Sequence, residues 1–302
     1  MTNASPLVER LAIVGLGLLG GSIAMAARER GIATLVVGSG RSRESVAAAT
    51  RSGALDAVMD LDAAVRGADL VVLATPVSAM ADVLRRAAPS LRPGAVVTDV
   101  GSVKGALTET LPGLLPPSVH FVGSHPMAGS HERGMGHARA DLFEGAVCIV
   151  TPTAGSDATA VARVEAFWSA LGARVERRSA EDHDAAVAWV SHVPHALAFA
   201  FAASLQEAPE GATTLAGPGF RDFTRIARSD AELWSEILSL NHKALAGPLQ
   251  AFSVRLAWLS RCLEAGDADA IARFLAVARD KLAAATPQHA SKARSGGDKP
   301  EI

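Results

Sequence analysis

The run Gly15-Leu16-Gly17-Leu18-Leu19-Gly20 has a spacing that suits a pyrophosphate, provided a strand precedes it and a helix follows. Gly15 then permits the tight turn, Gly17 lets the phosphates approach the backbone, and Gly20 lets helix and strand pack closely. The helix start at Leu18 and Leu19 turns its N–H groups towards the anion. About 20 residues on, where an acidic residue would hold a ribose 2′-hydroxyl, the chain reads Gly38-Ser39-Gly40-Arg41-Ser42-Arg43. Without a carboxylate there, Arg41, Ser42 and Arg43 offer charge-assisted donors to a 2′-phosphate. NADP is therefore expected over NAD, although arginines also decorate solvated helix starts that bind nothing. Thr75 and Pro76, just past another apolar run, complete the expected cofactor-binding set.

Asp99-Val100-Gly101-Ser102-Val103-Lys104 and Gly123-Ser124-His125-Pro126-Met127-Ala128-Gly129 each follow a β-rich stretch, and such strand ends line the ligand crevice of an open α/β sheet. Singly, Ser102 suits a helix N-cap and His125 a satisfied core histidine. Together they place a hydroxyl and an imidazole where a nicotinamide would lie. Further on, His192 and His195 of Ser191-His192-Val193-Pro194-His195 are three apart and share a helix face, with Asp184 about two turns earlier. That spacing could hold a metal, but no third ligand follows, so none is expected. Gly219-Phe220-Arg221-Asp222-Phe223-Thr224-Arg225-Ile226-Ala227-Arg228-Ser229 concentrates cations, which suits either an exposed amphipathic face or a fork for carboxylates.

These residues need a scaffold, and the first half supplies a βαβ series. Strands are expected at Leu11–Val14, Thr34–Val37, Leu70–Ala74, Ala95–Asp99, His120–Val122 and Val147–Thr151, with helices at Leu19–Arg30, Ser42–Ser52, Val77–Ala88 and Ser102–Leu111. Beyond Arg178 the spacing is helical at Ala180–Gln206, Asp230–Leu245, Pro248–Ala265 and Ala268–Ala284. The expected architecture is an α/β Rossmann-type nucleotide-binding domain over 1–178, followed by an all-α domain over 179–285. The stretch 286–302 carries too little apolar surface to offset its ordering entropy and is expected to be disordered.

Composition narrows the function further. The 302 residues, 49% of them apolar, suffice for sizeable cores without staples. A net charge of -2 with mixed signs provides no basic field for nucleic acid. Cys148 and Cys262 lie in apolar stretches and read as buried hydrophobes of a reducing cytoplasm. The apolar run from Leu11 to Ala27 is too short and glycine-rich for a membrane span. Tyrosine is absent, which removes any Tyr/Lys proton relay.

In combination, Gly15–Ser22, Asp99–Lys104, Gly123–Gly129, the Asp184 to His195 stretch and Gly219–Ser229 followed by Trp234 resemble the prephenate and arogenate dehydrogenase family. The resemblance implies a nucleotide-binding domain joined to a helical homodimerisation domain, and the oxidative decarboxylation of prephenate or arogenate with hydride transfer to NADP or NAD. It implies that His125 takes the hydroxyl proton and that Ser102 holds imidazole and hydroxyl in register. Arg225 would grip a substrate carboxylate, His192, His195 and Arg221 would line the pocket, and Asp184 and Asp222 would orient a histidine and an arginine. Where relatives carry an acid six residues past the catalytic histidine, this chain has His131, with Glu132 displaced by one. That favours prephenate, whose side chain carries a keto group in place of an ammonium. With no ACT or chorismate mutase segment, the chain reads as monofunctional.

Alternatives are a 4-amino-4-deoxyprephenate dehydrogenase and a β-hydroxyacid dehydrogenase or imine reductase, the latter disfavoured because Ser191–His195 lacks a lysine. A non-catalytic NADP-binding sensor, an alternative of another class, would be expected to lose His125 or Arg225 first.

Overall fold

The computed structural model describes residues 5–129, 132 and 134–285; His131 and the tail beyond 285 lie outside the described residues. Contacts divide the chain into two compact units, 1–245 and 246–302.

In the first unit, β1 (Val8–Val14), β2 (Ala33–Ser39), β3 (Ala57–Val58), β4 (Leu70–Leu73), β5 (Val96–Asp99) and β6 (His120–Phe121) form a parallel sheet ordered β3-β2-β1-β4-β5-β6. Its central strands are continuous apolar runs because both faces are covered; every residue of β4 and β5 is buried. Helices α1 (Leu18–Glu29), α2 (Arg43–Ser52), α3 (Leu61–Val65), α4 (Val77–Ala87) and α5 (Gly105–Thr110) provide the crossovers. The strand order reverses between β1 and β4, which opens a crevice at their C-terminal ends.

The chain then leaves this sheet. Strand β7 (Gly123–Pro126) pairs antiparallel with β8 (Val147–Thr151), which pairs parallel with β9 (Arg174–Arg177) after α6 (Ala158–Ala170). The switch comes at Gly123, where a Cβ would lie 2.5 Å from Thr151 Oγ1. The expected strand His120–Val122 therefore ends early, and Val147–Thr151 belongs to a second sheet.

Ser179 caps α7 (Ala180–Val187), its hydroxyl accepting from the Asp182 N–H at 2.9 Å. The single helix expected over Ala180–Gln206 is interrupted by a π turn, Ala188–His192, before α8 (Val193–Ser204). Pro194 explains the break: it has no N–H to return to Val190, and the wider turn absorbs the missing bond. Helices α9 (Pro218–Arg225) and α10 (Ala231–Leu240) follow, then α11 (His242–Glu264), which carries Pro248 in its interior. In the second unit α12 (Ala268–Ala285) packs on α11 through Trp258 and Phe274, whose rings stack at 5.2 Å.

Candidate active site

The crevice at the β1/β4 switch is a cleft of about 880 Å³ lined by residues that include Gly15, Gly17, Arg41, Ser42, Thr75 and Pro76. Gly15 has φ +109°, and a Cβ there would fall 2.4 Å from the Ala74 carbonyl oxygen. A Cβ on Gly20 would fall 1.9 Å from the Gly15 oxygen, whereas one on Gly17 would meet nothing. Two glycines thus allow close packing, and the third leaves the start of α1 open to the cleft. The Leu18 and Leu19 side chains pack on the core, so only their backbone can serve an anion. Ser42 lines the cleft and also caps α2 through the Ser45 N–H. Arg43 is exposed and outside the lining, while Arg86 and the carboxylates of Asp60 and Asp62, absent from the expected set, are part of it. This cradle fits a nicotinamide dinucleotide: phosphates over the bare glycine and helix start, cations towards a ribose.

The second constellation is built around β7. His125 is 8% exposed, and its Nδ1 lies 2.8 Å from His183 Nε2. His183, fully buried on α7, has its Nδ1 2.8 Å from Asp184 Oδ1. The same carboxylate accepts from the backbone N–H groups of Lys104 and Gly105, both at 2.8 Å, and so caps α5. That is why α5 begins at Gly105 and not at Ser102. Ser102 is half-buried on the β5–α5 connection and makes no hydrogen bond to His125 among the described residues.

Behind His125, Lys104 and Asp99 form an ion pair with both side chains fully buried. Lys104 Nζ also donates to the Ser124 carbonyl at 2.7 Å, while Asp99 accepts from the backbone N–H groups of Ser124 (3.0 Å) and Gly101 (2.8 Å). Trp168 donates its indole N–H to Ser124 Oγ at 2.9 Å. The residue before the imidazole is thus fixed from several sides.

Just past α10, Asn241 Nδ2 donates to the Asp184 carbonyl and to His192 Nδ1, both at 3.0 Å. His195 donates from Nδ1 to the Ser191 carbonyl and stacks on Trp234 at 3.6 Å, and His192 meets the same indole edge-on. Burial lowers the pKa of all four histidines. His125 is held well below the ordinary range by burial and then by the charges of His183, Lys104 and His192. His183 is lowered by burial against the pull of Asp184, His192 to about 4 by burial, and His195 by burial with help from Arg225. Burial pushes the Asp184 carboxyl up, but the bonds from His183, Lys104 and Gly105 outweigh it and hold it low.

A dinucleotide cradle and a buried imidazole in one chain describe many dehydrogenases; the sequence comparisons decide among them. Residues 23–177 match the nucleotide-binding domain of prephenate dehydrogenase, and residues 179–277 its dimerization domain. The chain belongs to the prephenate dehydrogenase family. It is 34% identical to the cyclohexadienyl dehydrogenase of Zymomonas mobilis, over 86% of this chain and 90% of that one. It is 33% identical to the Bacillus subtilis prephenate dehydrogenase, over 90% and 75%. The Aquifex aeolicus prephenate dehydrogenase, solved with hydroxyphenyl propionate and NAD+, superposes with a TM-score of 0.86 at 31% identity, over 93% and 99%. As a member of this family the chain is an NAD(P)-dependent oxidoreductase of the prephenate/arogenate type.

The family models meet between 177 and 179, whereas the helices up to Leu245 pack with the nucleotide-binding part as one unit. One expectation needs correction. Asp222 is exposed and pairs with no arginine among the described residues; Arg221 instead donates to the Ala216 carbonyl at 2.7 Å. Arg225 is exposed at the end of α9, near enough to His195 for its charge to be felt. His183 and Asn241 escaped the sequence reading. The signal for His183 was only its adjacency to Asp184, and neighbours in a helix do not share a face. Among the described residues no three or more His, Cys, Asp or Glu side chains gather to hold a metal.

Proposed function

We propose that this dehydrogenase oxidises and decarboxylates prephenate in preference to arogenate, with NADP as the preferred cofactor and His125 as the general base. The carrying observation is the buried imidazole of His125 at the end of β7, lowered in pKa so that it is neutral at pH 7. When bound, the nicotinamide supplies the acceptor for the hydride that leaves the ring carbinol carbon. His125 Nε2 takes the hydroxyl proton as that carbon becomes a carbonyl. When carbon dioxide leaves, the electron pair of the broken C–C bond restores the aromatic ring and places charge on the carbonyl oxygen, to which His125 returns the proton. Ser102 serves to orient the hydroxyl. Arg225 presents its guanidinium to a substrate carboxylate, and His192 and His195 line the pocket on either side of Trp234.

NADP preference rests on Arg41, Ser42 and Arg86 in the cleft, with Arg43 alongside. Asp60 and Asp62 share that cleft and oppose a 2′-phosphate, so the preference is a contest of charges. Substrate preference rests on His131 and on the state of Glu132, whose carboxylate lies 3.0 Å from His137 Nδ1. An ammonium without a carboxylate partner in a closed pocket costs roughly 2–5 kcal/mol, enough to favour the keto substrate by more than about tenfold. A spectrophotometric assay crossing prephenate and arogenate with NAD and NADP tests both. The expected order puts prephenate with NADP first in kcat/KM. Faster arogenate turnover that is abolished by Glu132→Gln would overturn the substrate reading, and equal use of NAD would overturn the cofactor reading.

The domain boundary at 178 and a helix-mediated homodimer complete the proposal. The run Ala180–Glu207 has a mean hydropathy of 1.4 in its most apolar window, yet it carries His183, Asp184 and His192 into the site. Its outward apolar side chains, Trp189 and Val190 at 56% and 71% exposure, suit a partner helix of a second copy better than lipid. Light scattering at micromolar concentration is expected to give twice the 31.0 kDa chain mass, and a monomer would contradict it.

A further inference from the structure

We infer that His183 is a positioning residue which, backed by Asp184, fixes the tautomer of His125 so that Nε2 offers a lone pair to the substrate hydroxyl. The inference rests on His125 being the base.

The hydrogen bonds leave little choice. Asp184 Oδ1 can only accept here, so the proton between it and His183 belongs to His183 Nδ1. A neutral His183 then carries its lone pair on Nε2. The 2.8 Å contact with His125 Nδ1 needs one donor and one acceptor, so His125 must donate from Nδ1. Its Nε2 is left unprotonated, the form a base requires. A cationic His183 would reverse this: both its nitrogens would donate, His125 Nδ1 would accept, and Nε2 would carry a proton and could take none. Burial of His183 and the nearby Lys104 ammonium both disfavour the cation.

Among the described residues the relay has no competing partner. His183 is fully buried, the two rings meet edge-on with centroids 5.1 Å apart, and Asp184 is pinned by two backbone N–H groups of the α5 start. When His125 takes the substrate proton, the Nδ1–H bond to His183 and the carboxylate behind it stabilise the imidazolium. The neighbouring histidine cannot substitute, because His192 Nδ1 already accepts from Asn241.

The test combines kinetics with a direct reading of the tautomer. Long-range ¹⁵N–¹H spectra of the histidine-labelled enzyme, with His125 assigned through His125→Asn, are expected to show the Nδ1–H form in the unmodified protein. His183→Phe removes the acceptor and is expected to move His125 towards Nε2–H, lowering kcat by roughly 10²-fold while KM for both substrates stays within about twofold. His183→Gln restores a carbonyl acceptor near the position of Nε2 and is expected to keep kcat within about fivefold of the unmodified enzyme. An Nε2–H signal for His125 in the unmodified protein overturns the relay whether or not any variant folds, and the turnover of His125→Asn then shows separately whether that residue is needed. A folded His183→Phe enzyme with kcat within about twofold of normal overturns it as well. Ordinary turnover by His125→Asn, in contrast, overturns the base assignment, and the relay loses its purpose even with the Nδ1–H form observed.

Discussion

His125→Asn is expected to lower kcat by roughly 10² to 10⁴ while leaving cofactor affinity within about twofold. Asparagine keeps a hydrogen-bonding group at the end of β7 but cannot accept a proton from the carbinol. Among the described residues no neighbour is placed to take over. In the variant His183 Nε2 faces the side chain at position 125, where the asparagine N–H₂ can donate to it as His125 Nδ1 does in the unmodified protein, and the Asp184 oxygens face His183 and the two backbone N–H groups of α5. His192 accepts through Nδ1 from Asn241, so its neutral form carries the proton on Nε2 and offers a donor. The pH dependence follows from the same environment. His125 is faced by His183 of α7, by Lys104 at the α5 start and by His192 of the π turn, and with burial they hold its pKa well below 6.5. The base is already neutral at pH 6.5, so kcat/KM should remain flat through that value and fall only at lower pH. Stability moves the same way: unfolded histidines take up protons below their ordinary pKa while these four resist, so folding is weakened as pH falls below 6.5 and unaffected above it. Brief assays after a pH jump separate the two effects. Ordinary turnover in the asparagine variant, or an acid limb centred at or above 6.5, would be incompatible with this role.

The parts of the molecule that could be read from the chain are those where local pattern and tertiary role coincide. Buried parallel strands are continuous apolar runs, so Leu70–Leu73 and Val96–Asp99 announce themselves, and the glycines at 15, 17 and 20 carry their geometric reason in their spacing. The two residues of β3 are too few to show a pattern. Strand β7 reads Gly-Ser-His-Pro, a poor β sequence that is extended because Ser124 and Met127 are tied to Asp99 and β8. Strand β9, Arg-Val-Glu-Arg, alternates too weakly at a sheet edge to be distinguished from a loop. The cofactor-binding glycines, His125 and the His192/His195 pair were therefore visible. The groups that define their state were not, because the contacts that tie Lys104 to Ser124, His183 to His125 and Asn241 to His192 join residues 20 to 58 apart in the chain. The π turn at Pro194 likewise needed the helix context before its missing N–H had a consequence.

Asp99→Asn is expected to cost about 3–5 kcal/mol of unfolding free energy, the range for removing one partner from a buried ion pair. The carboxylate sits at the end of β5 with no exposure and serves three donors: Lys104 Nζ, the Gly101 N–H and the Ser124 N–H. An asparagine side chain has one acceptor oxygen, so its amide N–H₂ must point at a donor that needs an acceptor. Burial already pushes the Lys104 ammonium below its usual pKa, and the Asp99 charge opposes that shift. Without it the fully buried ammonium keeps the Ser124 carbonyl as an acceptor but has lost its counter-charge. Lys104→Met should be milder, since the carboxylate keeps two backbone donors and methionine fills most of the volume. The double variant should be more stable than the sum of the single losses implies, which a double-mutant cycle in urea would read as positive coupling. Function should suffer beyond stability, because the Ser124 N–H bound by Asp99 belongs to the residue next to His125, and any rotation of that peptide swings the imidazole. The folded fraction of Asp99→Asn is therefore expected to show a lower kcat than the unmodified enzyme. A loss of less than about 1 kcal/mol with kcat unchanged would show that neither the pair nor its grip on β7 matters as argued.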